Sequence, residues 1–319
     1  MRQAQQVSTV LHAWGPVLPG PTYCEGVFFA SVLLAAAVAM PTAPTLHVQH
    51  ASIGDGYLAY ATVGEAAAPP LLLLNGTASP MNDWDPAFLD RLASDGHRVI
   101  VFDYPGLGSS SAIADGTTFD DLADDTAAFV HALGYDAVDV LGWSMGGFIA
   151  QRLLVAHPDV VRHAVLAATN PGGNEAVLGP KWVQRIDSHA NSGLAAYVKT
   201  NYPLGMRYRG WAFINRVNDA IDAGSYPNGR VPARTERIMV TAEDPWLRSN
   251  ANLDELRSVT SQVLVLDGQE DRVTPVRNSW VIARAIPPAQ LFIYRRAGHS
   301  FLFQRPLAVA DRIDAFLDH

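Results

Sequence analysis

The fold is decided by the stretch Gly142-Trp143-Ser144-Met145-Gly146, in which a serine stands between two glycines. The apolar run Ala137–Leu141 before it predicts a buried strand, and residues 147–154 after it predict a helix. A sharp strand-to-helix turn holds its central residue in strained backbone dihedrals, and side chains at positions 142 and 146 would collide with neighbouring backbone. We therefore expect the turn to present the Ser144 hydroxyl clear of the sheet, in the geometry called a nucleophile elbow.

The composition is that of an ordinary globular protein. The chain has 319 residues, of which 49% are hydrophobic and 17% charged, so it can bury a large core in one α/β domain with an insertion or in two domains. A net charge of -8 without a basic run argues against a nucleic-acid partner. Cys24 is the single cysteine and no Cys/His cluster has metal-ligand spacing, so we expect no disulfide, metal ion or cofactor.

Residues 1–44 are predicted to be an N-terminal extension. The apolar run Gly26–Met40 within it has fifteen residues, fewer than the roughly twenty that a membrane span needs. It makes a poor secretory signal, because the only basic residue upstream is the distant Arg2 and Glu25 directly precedes the run. The favoured interpretation is a cytoplasmic protein whose true start is Met40, with residues 1–39 as a weakly ordered or mis-assigned extension. The alternative is a secreted or membrane-associated protein in which residues 1–40 act as a signal.

From Leu46 onward, apolar runs alternate with amphipathic stretches. The predicted strands are Leu46–His50, Tyr57–Val63, Leu71–Leu74, Arg98–Phe102, Ala137–Leu141, His163–Ala168, Gln262–Leu266 and Gln290–Tyr294. The first two can be joined by the tight turn Gly54-Asp55-Gly56 and are expected to be antiparallel, whereas helix-length segments separate the later strands. This order predicts an α/β fold with a mostly parallel eight-stranded sheet flanked by helices.

The strand pattern stops between residues 171 and 256. Helix-like stretches with scattered tryptophans and tyrosines replace it, which predicts a helical cap inserted into a core of residues 45–170 and 257–319. The aromatic residues favour an apolar substrate, but packing of the cap against the core is their more common role.

The Ser144 hydroxyl needs a base, because serine is a poor nucleophile until a histidine held by a carboxylate takes its proton. Around a nucleophile elbow these residues follow in the order serine, acid, histidine. His299 fits this order, since it follows the predicted strand Gln290–Tyr294 at the strand end where open α/β sheets bind ligands. We predict His299 as the base, with a surface-loop histidine as the alternative interpretation.

Asp271 is the predicted acid. It lies in the loop after the predicted strand Gln262–Leu266, with a glycine before it and Pro275 opening the next helix. From that loop a carboxylate can accept a hydrogen bond from histidine Nδ1. Glu270 and Asp267 are the alternatives, although Asp267 lies close to the strand end and Glu270 is expected to point to solvent.

Two backbone N–H groups are expected to stabilise the oxyanion that forms when Ser144 attacks a carbonyl group. The N–H of Met145, directly after the nucleophile, is the first. The second is assigned to Thr77 in the loop after the strand Leu71–Leu74, where Gly76 lets the backbone approach. A plain turn explains the Asn-Gly sequence of this loop equally well.

Several short motifs stand in a fixed order along the chain. They are Asn75-Gly76, the D-x-x-G-x-G-x-S segment Asp103–Ser110, the Ser144 elbow, the acid loop Gly268–Pro275 and Gly298-His299. In this order they resemble the α/β-hydrolase superfamily, from about Leu46 to the C terminus. Asn75 stands where many members have histidine, so the resemblance supports a backbone donor in this loop but no side-chain role.

The resemblance is to capped esterase-type, haloperoxidase-like or polyhydroxyalkanoate-depolymerase-like members. It implies an α/β-hydrolase fold and a catalytic triad of Ser144, Asp271 and His299. The sequence therefore predicts a serine hydrolase that cleaves a small to medium apolar carboxylic ester through an acyl-enzyme. It predicts a small-molecule substrate and no membrane partner, and it does not indicate the oligomeric state. The alternatives are a serine-dependent C–C hydrolase, a lactonase, a cofactor-free haloperoxidase or perhydrolase, and a non-catalytic ligand-binding receptor of the same fold.

Overall fold

The computed structural model of the protein describes residues 43–187 and 193–318, which form one mixed sheet and the helices around it. The predicted extension lies outside the described residues except for its last two positions, and so does the whole apolar run Gly26–Met40. The strands are β1 (Gln49–Ile53), β2 (Gly56–Val63), β3 (Pro70–Leu74), β4 (Arg98–Phe102), β5 (Val138–Trp143), β6 (Val161–Ala167), β7 (Gln262–Gly268) and β8 (Ala289–Tyr294).

Within the described ranges the sheet has eight strands in the order β1-β2-β4-β3-β5-β6-β7-β8. Strand β2 pairs antiparallel with both β1 and β4, and every later neighbour pairs in parallel. The mostly parallel eight-stranded sheet expected from the sequence is therefore confirmed.

The first strand is displaced from its predicted position. The sequence predicts Leu46–His50, whereas the register pairs Ile53 with Gly56 across a two-residue turn and carries the strand back to Gln49. The tight turn requires strand pairing to continue up to its first residue, which shifts the strand toward Gly54. Leu46 is buried outside the sheet, where its N–H donates to Ser225 O at 2.8 Å.

Helices cover both faces of the sheet. They are α1 (Pro86–Ser94), α2 (Phe119–Ala132), α3 (Met145–Ala156), α4 (Lys181–Asp187), α5 (Gly193–Asn201), α6 (Arg207–Asp222), α7 (Ala233–Arg248), α8 (Ala251–Glu255), α9 (Arg277–Ala285), α10 (Phe301–Gln304) and α11 (Pro306–Leu317).

Strand β3 shows how the two faces share the core. All five of its residues are buried, and they alternate between two apolar clusters, because successive side chains of a strand point to opposite faces. Leu72 and Leu74 pack with residues of α2 and α3, whereas Leu71 and Leu73 pack with residues of α1 and α11. Strand β3 also pairs in parallel with β5, with Leu74 opposite Gly142, so the carboxyl ends of the two strands lie side by side.

Helices α4 to α8 lie between β6 and β7, in the stretch that the sequence predicts as a cap. They are tied to the sheet layer by specific side chains. Arg216 on α6 binds Asp85 at the start of α1, and the indole N–H of Trp246 on α7 donates to Asn170 Oδ1 at 2.9 Å. The boundaries of residues 171–256 as a separate cap stay a prediction. Across the described ranges, no helix is both long and apolar enough to cross a membrane.

Candidate active site

Ser144 lies at the junction of β5 and α3 with backbone angles φ 55° and ψ -119°. A positive φ is uncommon for a residue with a side chain and marks a strained turn. A Cβ at position 142 would lie 2.3 Å from Gly146 O, and a Cβ at position 146 would lie 2.0 Å from Leu74 O. The chain therefore passes so close to itself and to β3 that only glycine fits on either side of the serine.

Three side chains form a hydrogen-bonded line that begins at this turn. His299 Nε2 lies 3.0 Å from Ser144 Oγ, and His299 Nδ1 lies 2.8 Å from Asp271 Oδ2. The side chain of Asp271 is fully buried and that of His299 is 4% exposed, while Ser144 is half-buried. The line runs from a buried carboxylate to the hydroxyl of a half-buried serine, and it joins residues up to 155 positions apart in the chain.

The Asp271 carboxylate has a fixed orientation, because both of its oxygens accept hydrogen bonds from its own loop. Oδ1 accepts from the N–H groups of Val273 and Thr274 at 2.7 and 3.0 Å. Oδ2 accepts from the Thr274 hydroxyl at 3.1 Å and faces His299. Sequence reasoning missed Thr274, although its position three residues after an aspartate is typical of such local bonds.

The other two acids considered for this role are placed differently. Glu270 is exposed, as expected. Asp267 is fully buried within β7, where Oδ1 accepts from Gly268 N–H at 2.7 Å and Oδ2 lies 2.6 Å from Ser279 Oγ. Burial raises the pKa of Asp267 well above its ordinary value, and the nearby Asp271 charge raises it further. The structure thus brings Asp271, and neither alternative, to His299.

The loop after β3 lies directly against the elbow. A Cβ at Gly76 would lie 3.0 Å from the Trp143 ring and 3.6 Å from Ser144 Cβ, so the missing side chain allows the close approach. The side chain of Asn75 is buried and holds this loop at both ends, because Oδ1 accepts from Gly76 N–H at 2.9 Å and Nδ2 donates to Pro80 O at 3.0 Å. The Asn75 side chain therefore has a structural role in this loop, which the sequence resemblance did not predict.

The two predicted oxyanion donors belong to the two segments that meet here, namely the start of α3 and the loop after β3. Met145 is the first residue of α3, and the first N–H groups of a helix have no acceptor within it. In the facing loop the Gly76 N–H donates to Asn75 Oδ1, and the N–H of Thr77 is the next along the chain. Its role as an oxyanion donor stays a prediction. The Thr77 hydroxyl donates to Glu243 Oε1 on α7 at 3.4 Å, so the helical segment reaches this loop.

The helical segment also reaches the loop of His299. A Cβ at Gly298 would lie 2.3 Å from Asn201 O, and the Tyr197 and Ser300 hydroxyls lie 2.8 Å apart. On the opposite side, the Trp143 indole N–H donates to His299 O at 3.1 Å. Sequence reasoning missed these contacts, because nothing in the sequence pairs residues so distant in the chain.

Two further carboxyl groups lie beneath the loop after β3. Burial raises the pKa of Asp83 to about 7, and the nearby Asp103 carboxylate raises it further. Burial also raises the pKa of Asp103 to about 6, against hydrogen bonds from the N–H groups of Met81 and Ser109. Neither group takes part in the hydrogen-bonded line from Ser144 to Asp271. Among the described residues, no three His, Cys, Asp or Glu side chains are grouped so that they could hold a metal ion.

A family model described as the alpha/beta hydrolase family matches residues 71–312. The chain belongs to this family. A Poly(3-hydroxyalkanoate) depolymerase of Ectopseudomonas oleovorans is 31% identical over 261 residues, which cover 80% of this chain and 86% of that protein. BpoC of Mycobacterium tuberculosis, named as a candidate non-heme bromoperoxidase, is 28% identical over 248 residues, which cover 75% of this chain and 90% of that protein.

The same fold is found among solved structures. An alpha/beta hydrolase fold protein from Chitinophaga pinensis superposes with a TM-score of 0.72 at 24% identity, covering 87% of this chain and 98% of that chain. At this identity the likeness shows the α/β-hydrolase fold alone.

Proposed function

We propose that the protein is a serine hydrolase that cleaves carboxylic esters through an acyl-enzyme. The observation that carries the proposal is the hydrogen-bonded line from Ser144 through His299 to Asp271, with its hydroxyl end on a strained turn. A hydroxyl within 3.0 Å of an imidazole that is itself held by a buried carboxylate is the arrangement that activates a serine.

The proposed reaction has two halves. In the first, Ser144 Oγ attacks the ester carbonyl carbon while its proton moves to His299 Nε2, and His299 then gives this proton to the departing alcohol. The acyl group is left on Ser144 Oγ. In the second half, His299 takes a proton from water, the water oxygen attacks the acyl carbon, and the carboxylic acid leaves as Ser144 recovers its proton. Asp271 holds the imidazole in one tautomer and stabilises its positive charge in both halves.

The negative charge on the carbonyl oxygen is assigned to the N–H groups of Met145 and Thr77. The support is geometric, since Met145 begins a helix beside Ser144 and the Gly76 backbone approaches Ser144 from the facing loop. Donors fixed in this way each contribute on the order of 10² to 10³ in rate.

We assign residues 171–256 to a cap over this site, because contacts from α5 and α7 reach the loops on both sides of Ser144.

We propose a small to medium apolar ester as the substrate. Several aromatic side chains of the cap are committed to packing. Phe213 stacks on Phe303 at 4.4 Å, and Trp246 packs on Phe148 at 5.1 Å. Selectivity therefore depends on the few cap residues nearest Ser144.

The experiment is a stopped-flow measurement with p-nitrophenyl esters of increasing acyl length, together with lactones and β-diketones at the same concentrations. The proposal expects a burst of nitrophenol equal to the enzyme concentration, and a mass increase of one acyl group on the Ser144 peptide. Faster turnover of lactones or β-diketones would move the function to a lactonase or a C–C hydrolase. Binding of every substrate without a burst would identify a receptor.

A further inference from the structure

Three large apolar side chains are exposed together on the cap. Leu204 is 72% exposed, Tyr208 59% and Trp211 43%. Tyr208 and Trp211 stand three residues apart at the start of α6, so they lie on one face of this helix, and Leu204 begins the short 3-10 turn Leu204–Met206 that leads into it. Isolated apolar residues on a surface need no explanation, but three large ones exposed so close together in the chain indicate a surface with a partner. We call these three residues the α6 row.

The stretch of chain that contains the α6 row carries basic side chains only. Residues 193–218 contain four basic side chains and no acidic one, in a chain that has 31 acidic and 23 basic residues. Arg216 is neutralised by Asp85, whereas the Arg209 guanidinium lies over the Tyr208 ring at 5.4 Å, within the row itself. The row therefore lies in a basic stretch of a chain whose net charge is negative.

A second basic segment lies against the first. Residues 289–305 contain three arginines and no acidic residue, and their loop packs on residues 201–205. Arg295 and Arg296 are exposed, and Arg296 Nη2 lies 4.0 Å from the position of a Cβ at Gly205. The basic surface therefore extends from α6 to the loop that carries His299.

We propose that the α6 row and its arginines dock on a membrane surface of anionic phospholipid. Tryptophan, tyrosine and leucine side chains exposed together, with arginine beside them, are the residues that place a protein surface at the lipid–water boundary. Positive charge of this kind is attracted to anionic headgroups. The inference departs from the sequence expectation of no membrane partner, and it requires no membrane-spanning segment.

A second protein surface is the weaker candidate for the occupant. The three partly exposed side chains offer an apolar area on the order of 300 Å², judged from the area of such residues. A stable protein–protein interface buries about 800 Å² on each partner. Insertion into a lipid surface requires no minimum area of this kind, because the free energy of burying apolar side chains adds to the electrostatic attraction between arginines and anionic headgroups.

Docking here would place the active site at the lipid surface. The loop that carries Arg295 and Arg296 continues directly into His299. In addition, Asn201, just before the α6 row, accepts a hydrogen bond from the Ser300 hydroxyl at 3.1 Å. An ester held in the membrane would then reach Ser144 without first crossing bulk water.

The test is co-sedimentation of the full-length protein with vesicles, without any substrate. Vesicles of phosphatidylglycerol and phosphatidylcholine in equal parts are compared with vesicles of phosphatidylcholine alone. The proposal expects binding to the anionic vesicles only, weakened by added salt. The double variant Leu204→Ser, Trp211→Ser should lower the bound fraction at least about tenfold. Arg209→Glu combined with Arg296→Glu should remove the preference for anionic lipid.

The matched control is Trp280→Ser, which removes a tryptophan of similar exposure (49%) on α9 and should bind like the wild type. Unchanged melting temperatures show that the variants are folded. Equal binding by the wild type and the α6-row variant would overturn the proposal, and would direct attention to the apolar run Gly26–Met40. A dimer in sedimentation analysis that the same variant dissociates, without vesicle binding, would identify a second copy of this chain as the partner. Because no turnover is measured, the outcome is independent of the proposed chemistry.

Discussion

The two halves of the candidate site are held in place by different means. On the sheet side, Ser144 is positioned by backbone that approaches other backbone, with glycines where any side chain would clash. On the other side, which we propose is a cap and call the cap side, the helices between β6 and β7 are held by side-chain contacts such as Arg216 with Asp85 and Trp246 with Asn170.

Because of this difference, the sheet side of the site is rigid, whereas the residues of the cap side can vary. Backbone contacts within a sheet tolerate almost no change, because a single added methyl group meets a carbonyl oxygen. Side-chain contacts between helices can be exchanged for others of equal strength without disturbing the sheet. We infer that the chemistry belongs to the sheet side and that substrate choice belongs to the cap side.

The largest expected effect is on the sheet side. Ser144→Ala removes one half-buried hydroxyl, and we expect ester hydrolysis to fall by about four orders of magnitude. The melting temperature should change little, because no core contact is lost. The measurement is steady-state kinetics beside thermal unfolding. Activity within tenfold of the wild type would remove Ser144 from the mechanism.

The next largest effect is on the cap side. In Arg216→Ala the Asp85 carboxylate, whose side chain is fully buried, loses its charged partner. We expect a loss of about 3 kcal/mol in the free energy of unfolding, measured in urea. The matched control is Arg234→Ala, because Arg234 also joins the cap to the core but its partner Asp115 is exposed, and its cost should stay below about 1 kcal/mol. Equal losses for the two variants would show that this buried pair does not anchor the cap.

A smaller effect on the rate tests the loop that faces the elbow. Asn75→Ala removes the two hydrogen bonds that the Asn75 side chain makes within this loop, so the Thr77 N–H should be held less firmly toward the oxyanion. We expect kcat to fall by about 10²-fold with a smaller change in KM. Asn75→Asp keeps the shape of the side chain and one acceptor, and it should retain more activity than alanine. A change confined to KM would argue against the oxyanion role of this loop.

The smallest effect depends on pH. The pKa of Asp83 is about 7 in the folded protein, against an ordinary value of 3.8, so the folded state binds this proton more tightly than the unfolded state. The stability that this proton contributes is complete below pH 4 and is lost as the pH rises through 7. Asp83→Asn should therefore gain melting temperature relative to the wild type between pH 5 and pH 8. Asp115→Asn, at an exposed site, is the control, and equal pH profiles for all three proteins would contradict this account.

Most of the sheet side of the site could be predicted from the sequence. The strand-to-helix turn at Ser144 and the strand-end loops of Asp271 and His299 depend on short-range features that a pattern can reveal. The position of β1 was wrong, because apolar content favoured Leu46–His50 while the two-residue turn fixed the register.

The cap side was harder to predict. Helix α7 did not emerge from the sequence, since it contains Pro245 and its apolar positions are sparse. The contacts of Thr77 with Glu243 and of Tyr197 with Ser300 join residues more than 100 positions apart. Such pairs follow from tertiary packing, and no local signal in the sequence identifies them.

The central claim is that His299 activates Ser144 as a nucleophile, and labelling with a fluorophosphonate tests it most directly. In this reaction Ser144 Oγ would form a bond to phosphorus as fluoride leaves, and peptide mapping by mass spectrometry locates the adduct. We predict one adduct per chain, on Ser144, with labelling slowed by several orders of magnitude in His299→Ala. An unlabelled protein, or an adduct on any other residue, would contradict the account.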